Sequence, residues 1–111
     1  MRECTILLPT VDLSFVPVRE LSIEHSEMIE DIISKFGNCR ATTCIQFTFN
    51  KETKEFQDVD CIEYKFFIPT DAQVGIEQYL NDAAQKYGKK CGVSQVYTVN
   101  HIGSAQFIDI A

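Results

Sequence analysis

The sequence has 111 residues and a formal charge of −6, because 16 Asp and Glu residues outnumber 10 Lys and Arg residues. Its 45% hydrophobic and 23% charged residues are typical of a single globular domain over residues 1–111 rather than a disordered chain. The acidic balance disfavours a nucleic acid polymer as partner, since phosphate binding needs a basic surface.

The N-terminal residues and the cysteines favour a protein of the cytoplasm. Pro9, Asp12 and Pro17 interrupt the N-terminal apolar run before it reaches the length of a signal peptide or a membrane span. The five cysteines are odd in number and include no Cys-x-x-Cys pair, unlike a disulfide framework. We therefore expect reduced, structural cysteines and no membrane association.

The first part of the chain predicts a strand followed by a helix. Cys4–Leu8 is rich in β-branched and aliphatic side chains and ends at Pro9, which cannot donate a hydrogen bond. Residues 10–21 are less regular and fit a continued strand or a crossover at the sheet edge. Ser22 is the predicted N-cap of a helix that ends at Gly37. The apolar stripe of this helix consists of Met28, Ile29, Ile32, Ile33 and Phe36.

The middle of the chain predicts a β-hairpin and a second helix. Apolar residues alternate over 41–50 and again over 56–68, and the polar, charged Lys51–Lys54 between them is a predicted turn. Thr70–Gln73 has the pattern of a capping box, and Gly88 is the predicted end of the following helix. The apolar stripe of the second helix consists of Ile76, Tyr79, Leu80, Ala83, Ala84 and Tyr87.

Extended segments follow the second helix. Residues 93–102 alternate once more, and residues 107–110 can add a short C-terminal strand. The order βαββαβ folds most economically as a ferredoxin-like sandwich. This is an α+β fold in which a four-stranded antiparallel sheet carries both helices on one face.

Two helices leave the other face of such a sheet uncovered. The alternation places Ile45, Phe47 and Tyr64 under the helices. The predicted uncovered face consists of Cys44, Gln46, Thr48, Cys61, Glu63, Lys65, Phe67, Val96, Thr98 and Asn100. Contact with water, self-association and ligand binding remain open for this face. Because Phe67 is its only aromatic residue, it does not predict an RNA-recognition sheet.

A candidate ligand site lies where the first helix leads into the hairpin. Arg40 with Thr42 and Thr43 offers a guanidinium and two hydroxyls to a phosphate or carboxylate. Glu63 and Lys65 lie near these residues if the hairpin register allows it. The alternative is a surface arginine beside threonines that are present for their β-propensity.

Other residue patterns point only weakly to chemistry. His25 lies away from the apolar stripe of its helix, which predicts a solvated side chain. Cys39 beside Arg40 is the best-placed candidate nucleophile. Cys39, Cys44 and His101 can form a composite metal site only if the fold brings them together. We expect no catalytic residue, no metal and no cofactor.

The sequence resembles a known group of proteins over about residues 22–102. The residues that carry this resemblance are 32–37 (IISKFG), Ala41–Thr43 and Ile62–Ile68 (IEYKFFI). The sequence is similar to small uncharacterised ferredoxin-like proteins of bacteria and their phages, although it lacks the tryptophan of their hairpin. The resemblance implies a ferredoxin-like fold and assembly as a dimer or higher oligomer through the sheet or its edges. It implies no established activity.

Three functions follow as hypotheses. The first is a non-catalytic, oligomeric binding or regulatory protein, such as a phage-type protein that sequesters a small anionic nucleotide signal at a subunit interface. The second is a small, cofactor-free dimeric enzyme in which His101, Tyr64 and Tyr97 transfer protons. The third is an acidic inhibitor of another protein, which the charge of −6 allows.

Overall fold

The structure, a computed structural model, describes residues 2–9 and 23–111. Within these residues the strands are Arg2–Pro9 (β1), Arg40–Asn50 (β2), Glu55–Ile68 (β3), Gln95–Val99 (β4) and Ala105–Asp109 (β5). The α-helices are Ile23–Phe36 (α1) and Ile76–Cys91 (α2), and a short 3₁₀ turn covers Thr70–Ala72. The predicted N-cap Ser22 and the irregular residues 10–21 lie outside the described residues.

The described strands form one antiparallel sheet in the order β2-β3-β1-β4-β5. The predicted α+β class, with two helices and an antiparallel sheet, is therefore confirmed. The optional C-terminal strand is also present, since β5 pairs with β4 at one edge. This fifth strand makes the sheet different from a simple four-stranded ferredoxin-like sheet.

Both helices pack against the same face of the sheet. Most residues of the apolar stripes of α1 and α2 are buried in one cluster with alternate residues of the central strands. From β1 and β3 this cluster contains Cys4, Ile6, Leu8, Ile62, Tyr64, Phe66 and Ile68. Phe36 stacks on Phe66 with 5.0 Å between ring centroids, and Tyr79 meets the Phe36 ring at 4.9 Å. Burying each large apolar side chain contributes about 1.5–3 kcal/mol, which fixes the face that the helices cover.

Gly37 and Asn38 turn the chain from α1 into β2. Gly37 has φ +83° and its N–H donates to the Ile33 carbonyl at 2.8 Å, so it ends the helix as predicted. The Asn38 side chain accepts from the Phe67 N–H at 2.8 Å and donates to the Phe67 carbonyl at 3.0 Å. The Asn38 side chain therefore takes the place of a paired strand for Phe67 of β3, at a position that precedes the first residue of β2.

The start of α2 differs from the prediction. The predicted capping box Thr70–Gln73 does not begin the helix, because its first three residues form the 3₁₀ turn. The Gln73 N–H donates to the Thr70 carbonyl at 3.5 Å instead. Helix α2 begins at Ile76, after Gly75 in the left-handed conformation with φ +81°.

The end of α2 also differs from the prediction. The helix continues through Gly88 to Cys91, and Gly92 ends it with φ +69°. Gly88 allows close packing instead of ending the helix. A Cβ atom at Gly88 would lie 2.9 Å from the Ile110 side chain and 3.1 Å from that of Val96. The absence of a side chain at this position lets α2 approach β4 and the C-terminal residues.

The faces of β4 are the reverse of the predicted ones. Val96 and Thr98 are buried on the helix side of the sheet. Tyr97 lies on the opposite face, where it is the cross-strand neighbour of Leu7 in β1 and Phe107 in β5. Both sets of alternating residues in this strand contain apolar side chains, so periodicity did not distinguish them.

The paired strands β2 and β3 extend beyond the helices as an arm, residues 45–59. The predicted turn is confirmed, because Asn50 pairs with Glu55 across it. Asn50 Oδ1 accepts from the Glu52 N–H at 2.9 Å and so closes the turn. Ile45 and Phe47 lie on the helix-side face as predicted, but they are exposed because the helices do not reach this part of the sheet.

Candidate functional site

The face of the sheet opposite the helices is called the far face here. Its rows of side chains include Glu3, Leu7 and Pro9 of β1; Arg40, Thr42, Cys44, Gln46 and Thr48 of β2; Val59, Cys61, Glu63, Lys65 and Phe67 of β3; Gln95, Tyr97 and Val99 of β4; and Phe107 of β5. Leu7 and Cys61, in the middle of these rows, are buried. These two positions of the far face are therefore shielded from water.

Four of the five predicted ligand-binding residues lie together at one end of the far face. The register of β2 and β3 places Arg40 directly opposite Lys65 and Thr42 directly opposite Glu63. Thr43 lies on the helix-side face, because successive residues of a strand point to opposite faces. The structure therefore separates Thr43 from the other four.

Salt bridges compensate the positive charges at this end of the far face. The Arg40 guanidinium pairs with the Glu3 carboxylate. Lys65 Nζ lies 3.8 Å from Glu3 Oε1 and 3.5 Å from Glu63 Oε1. We call Glu3, Arg40, Glu63 and Lys65 the ionic cluster. A simple anion must compete with Glu3 for Arg40, whereas a group with both charges finds partners of both signs.

Sequence reasoning missed Glu3. This residue joins the ionic cluster because β1 lies beside β3, where Glu3 is the cross-strand neighbour of Phe67. The Arg40 guanidinium lies over the same Phe67 ring, 5.5 Å from its centroid. Only the strand order brings a residue from the N-terminus to the hairpin, and no local pattern in the sequence signals this contact.

A cleft of about 370 Å³ opens at the other end of the far face, where β1 stops. Pro9, the last residue of β1, pairs with Cys61, but β3 extends from there back to Glu55. Among the described residues, a gap therefore lies between the arm and the start of β4. The lining of the cleft includes Pro9, Gln46, Thr48, Gln95, Tyr97 and Phe107.

The cleft combines two aromatic rings with uncharged polar groups. Tyr97 and Phe107 are cross-strand neighbours whose ring centroids lie 5.1 Å apart, with the planes inclined by 54°. Gln46, Thr48 and Gln95 add carboxamide and hydroxyl groups. Among the described residues that line the cleft, none is Asp, Glu, Lys, Arg or His. An aromatic surface beside carboxamides suits an uncharged heterocycle such as a nucleobase.

Sequence reasoning also missed the two aromatic rings. The prediction that Phe67 is the only aromatic residue of the uncovered face is wrong, because Tyr97 and Phe107 also lie on it. Val96 and Thr98, which were expected there, are buried on the helix side. The prediction assigned the alternate residues of β4 to the wrong faces of the sheet. Because β5 pairs with β4, this assignment also determines which residues of β5 lie on the far face.

Backbone hydrogen bonds fix the loop between α2 and β4, which forms one side of the cleft. The Val93 N–H donates to the Gly88 carbonyl at 3.1 Å. The Ile110 N–H donates to the Ser94 carbonyl at 2.9 Å. The loop is therefore held both to α2 and to the C-terminal residues, and this side of the cleft is preformed.

The thiols of Cys39 and Cys61 are not activated as nucleophiles. Burial raises the pKa of Cys39 to about 11 and that of Cys61 to about 11. Arg40, the residue expected to favour the Cys39 thiolate, pairs with Glu3 instead. Because reactive cysteines need a lowered pKa, Cys39 does not have the environment of a nucleophile.

The structure does not assemble the predicted proton-transfer residues. Tyr64 is buried on the helix side and shares a hydrogen bond with His25 Nδ1, whereas Tyr97 lies on the far face. The grouping of His101, Tyr64 and Tyr97 is therefore wrong. The prediction of a solvated His25 is also wrong, because its side chain is 1% exposed. Burial raises the pKa of Tyr64 above the usual tyrosine range, so its hydroxyl stays protonated.

Residues 2–9 and 23–111 contain neither a metal site nor a membrane-spanning helix. In these ranges no three His, Cys, Asp or Glu residues are grouped to hold a metal ion. Cys39, Cys44 and His101 accordingly do not form a composite site there. None of the described helices has both the length and the apolar character needed to cross a membrane.

Comparisons with known proteins reveal a likeness of fold. No protein-family model matches the sequence, and no curated protein matches it significantly. The structure is similar to a phage SAM lyase in complex with S-methyl-5'-thioadenosine, with a TM-score of 0.58 and 9% sequence identity over 96% of this chain and 88% of that chain. It is also similar to a phage SAM lyase in the apo state, with a TM-score of 0.49 and 9% identity over 97% of this chain and 81% of that chain. Because the sequence identity is 9%, the similarity to the complex with S-methyl-5'-thioadenosine shows a shared fold and nothing more.

Proposed function

We propose that the protein is an oligomeric binding protein that holds an adenine nucleoside with a polar tail on its far face. The base occupies the cleft, and the tail reaches the ionic cluster. The observation that carries this proposal is the paired Tyr97 and Phe107 rings beside uncharged polar groups in a cleft of about 370 Å³. Small-molecule sites have volumes of roughly 300–1,000 Å³ and combine apolar walls with a few polar groups.

The fold likeness supports an adenine nucleoside as the ligand. The phage lyase structure with the higher TM-score contains S-methyl-5'-thioadenosine. This molecule joins a purine and a ribose to a thioether and carries no charge at neutral pH. Its chemistry matches a cleft whose described lining is uncharged.

The ionic cluster supports a ligand whose tail carries both charges. Strand β1 lies between Lys65 in β3 and Tyr97 in β4, and the two residues are offset by two positions along the strands. At the usual strand spacing they are therefore on the order of 12 Å apart. The amino acid tail of S-adenosylmethionine can span this distance from its adenine. In this arrangement Arg40 and Lys65 bind the tail carboxylate, Glu63 binds the ammonium group, and Thr42 donates a hydroxyl hydrogen bond.

The composition of the cleft favours binding over catalysis. A general acid or base must lie within hydrogen-bonding distance of the reacting atoms. The described lining of the cleft contains no carboxylate, histidine or lysine, and Tyr97 is its only common proton-transfer residue. A second candidate function is cleavage of S-adenosylmethionine, which the likeness to a SAM lyase favours. The two functions differ in whether the ligand leaves the protein unchanged.

The proposal extends to the fold class and the setting of the protein. The order β2-β3-β1-β4 within the five-stranded sheet supports a ferredoxin-like arrangement to which β5 is added at one edge. We further propose kinship with the small ferredoxin-like proteins of bacteria and phages, assembly as a homo-oligomer, and a cytoplasmic location. The phage origin of the structural neighbour supports the phage setting.

Isothermal titration calorimetry tests the proposed binding. The full chain is titrated with S-methyl-5'-thioadenosine, S-adenosylmethionine, adenosine and a cyclic nucleotide. Stacking of one base on an aromatic side chain contributes about 1–3 kcal/mol, so Tyr97→Ala weakens binding of S-methyl-5'-thioadenosine by about 5- to 150-fold. Ile102→Ala, which changes an exposed residue outside the cleft lining, is the matched control and keeps the affinity of the unmodified protein.

The charged tail provides a second, independent comparison. Lys65→Ala weakens binding of S-adenosylmethionine and leaves that of S-methyl-5'-thioadenosine unchanged, because only the first ligand has a charged tail. Chromatography of the S-adenosylmethionine mixture shows whether the ligand is cleaved, which would assign the second function. Absence of binding heat with all four compounds contradicts the proposal.

A further inference from the structure

The arm exposes a patch of large apolar side chains. We define the arm patch as Ile45, Phe47, Phe49 and Phe56, which all lie on the helix-side face beyond the helices. Their exposed fractions are 54%, 71%, 50% and 82%, respectively. Phe49 and Phe56 are cross-strand neighbours with ring centroids 5.1 Å apart, so the patch is continuous across both strands. Contiguous exposed aromatic residues of this kind mark an interaction surface.

Among the described strands, β2 lies at an edge of the sheet, and its own residues lack the usual protection against further pairing. It ends the sheet order, so one row of its backbone groups faces away from β3. Residues 41–50 contain no charged residue and no proline. Proteins normally shield long edge strands with charges, prolines or bulges, because an unprotected edge pairs with another strand.

We propose that the arm is the interface between two copies of this chain, in which β2 pairs antiparallel with its counterpart across a two-fold axis. The inference rests on the homo-oligomer of the proposed function and identifies the surface that forms it. An axis near Gln46 sets Phe47 opposite Ile45 of the partner subunit. The arm patches of both copies then form one apolar strip on the same face of a ten-stranded sheet, and aromatic and β-branched cross-strand pairs of this kind stabilise sheets.

The charge pattern of β2 fits its own copy. In an antiparallel two-fold arrangement about Gln46 each residue of 42–50 meets a residue of the same uncharged segment, so no like charges face each other there. Asp58, on the adjacent strand, lies about 14 Å from Asp60 of the partner subunit at the usual strand spacing. That separation exceeds the Debye length of about 8 Å at physiological salt, so this repulsion is screened.

The area of the arm patch is consistent with a stable dimer. With about 200 Å² for each phenylalanine, its exposed side chains provide at most on the order of 500 Å² per copy. A standard interface buries about 800 Å² per partner, and the paired backbone of β2 supplies much of the remainder.

Sedimentation velocity over about 1 to 200 µM chain tests the interface. The unmodified protein sediments with twice the chain mass of 12.6 kDa at the upper concentrations. Phe47→Lys and Phe56→Lys each place a charge in the arm patch and raise the dimer dissociation constant at least tenfold. Val74→Lys, which adds the same charge at a residue that is 93% exposed outside the arm, is the matched control and leaves the dimer intact. Hydrogen exchange of residues 41–50 slows with rising concentration only in the proteins that dimerise.

Several outcomes overturn the inference. These are a monomer at the highest concentration, a mass of three or more chains, or a dimer that both lysine variants leave unchanged. Circular dichroism verifies that each variant is folded. If one lysine variant is unfolded, the sedimentation result of the other lysine variant is used to judge the interface. Nucleoside titration of the same samples separates the two proposals. Binding by a monomer refutes this inference and the proposed assembly but not the proposed ligand. Binding by an oligomer without the arm interface refutes only this inference, and an arm dimer without binding refutes only the proposed ligand.

Discussion

The buried His25–Tyr64 pair links α1 to the central strand β3, and its removal should destabilise the protein measurably. Both side chains are almost completely buried, and the Tyr64 hydroxyl shares a hydrogen bond with His25 Nδ1. Tyr64→Phe keeps the ring and its packing but removes the hydroxyl. A buried imidazole nitrogen then loses this partner, which costs about 1–3 kcal/mol.

The expected effect is large enough for a simple melting experiment. For a chain of this size, 1 kcal/mol shifts the melting temperature by roughly 4 °C, so Tyr64→Phe lowers it by about 4–12 °C. Urea unfolding followed by circular dichroism gives the free energy directly, at one fixed protein concentration because assembly also affects stability. Tyr97→Phe removes a hydroxyl from the far face and is the matched control, with a change below about 0.5 kcal/mol.

A double-mutant cycle isolates the hydrogen bond from the rest of the environment. His25→Phe combined with Tyr64→Phe removes both partners, so the double variant loses less stability than the sum of the single losses. Additive losses, or a Tyr64→Phe loss below about 0.5 kcal/mol, would refute the reasoning that this contact stabilises the packing of α1 on the sheet.

Two further predictions concern the core and the thiols. Gly88→Ala should destabilise the protein by about 1 kcal/mol in thermal unfolding, because crowding against Ile110 outweighs the gain in helix propensity. Ile110→Ala should relieve that crowding, and a stabilised single variant would contradict the packing described for α2. Alkylation of Cys39 and Cys61 by iodoacetamide at pH 8 should be roughly a hundredfold slower than that of a thiol with the ordinary pKa of 9.0, since both have a pKa of about 11. The rate should rise about tenfold per pH unit up to that pKa, and complete labelling within minutes at pH 8 would contradict it.

The elements that sequence reasoning predicted well are those that depend on local patterns. The α1 stripe of Met28, Ile32 and Phe36 is buried as expected, because helical spacing places these residues on one face. The turn at residues 51–54 is also correct, since a short polar segment between two alternating segments is a local signal.

The elements that it predicted poorly depend on packing between distant parts of the chain. The parity of β4 was wrong because Val96 and Tyr97 both suit a buried position, and the close approach of α2 at Gly88 selects Val96. The end of α2 was wrong for the same reason, since Gly88 serves packing rather than capping. A glycine in an apolar stripe can have either role, and the sequence does not distinguish them.

The candidate site shows the same division. The register of the hairpin, which follows from its local turn, brings Arg40 and Lys65 together. The neighbouring Glu3 and the gap beyond Pro9 follow from the position of β1 between β3 and β4. These features convert an expected anion site into a neutral ionic cluster beside an aromatic cleft.

Nucleoside binding on the far face, in the cleft where β1 ends, can be observed residue by residue. Amide chemical shifts of the full chain, labelled with ¹⁵N, are recorded as S-methyl-5'-thioadenosine is added. The largest changes are expected on Gly92, Gln95, Tyr97 and Phe107 and on the side-chain amide of Gln46. Changes confined to the helices, or none at saturating ligand, would contradict it.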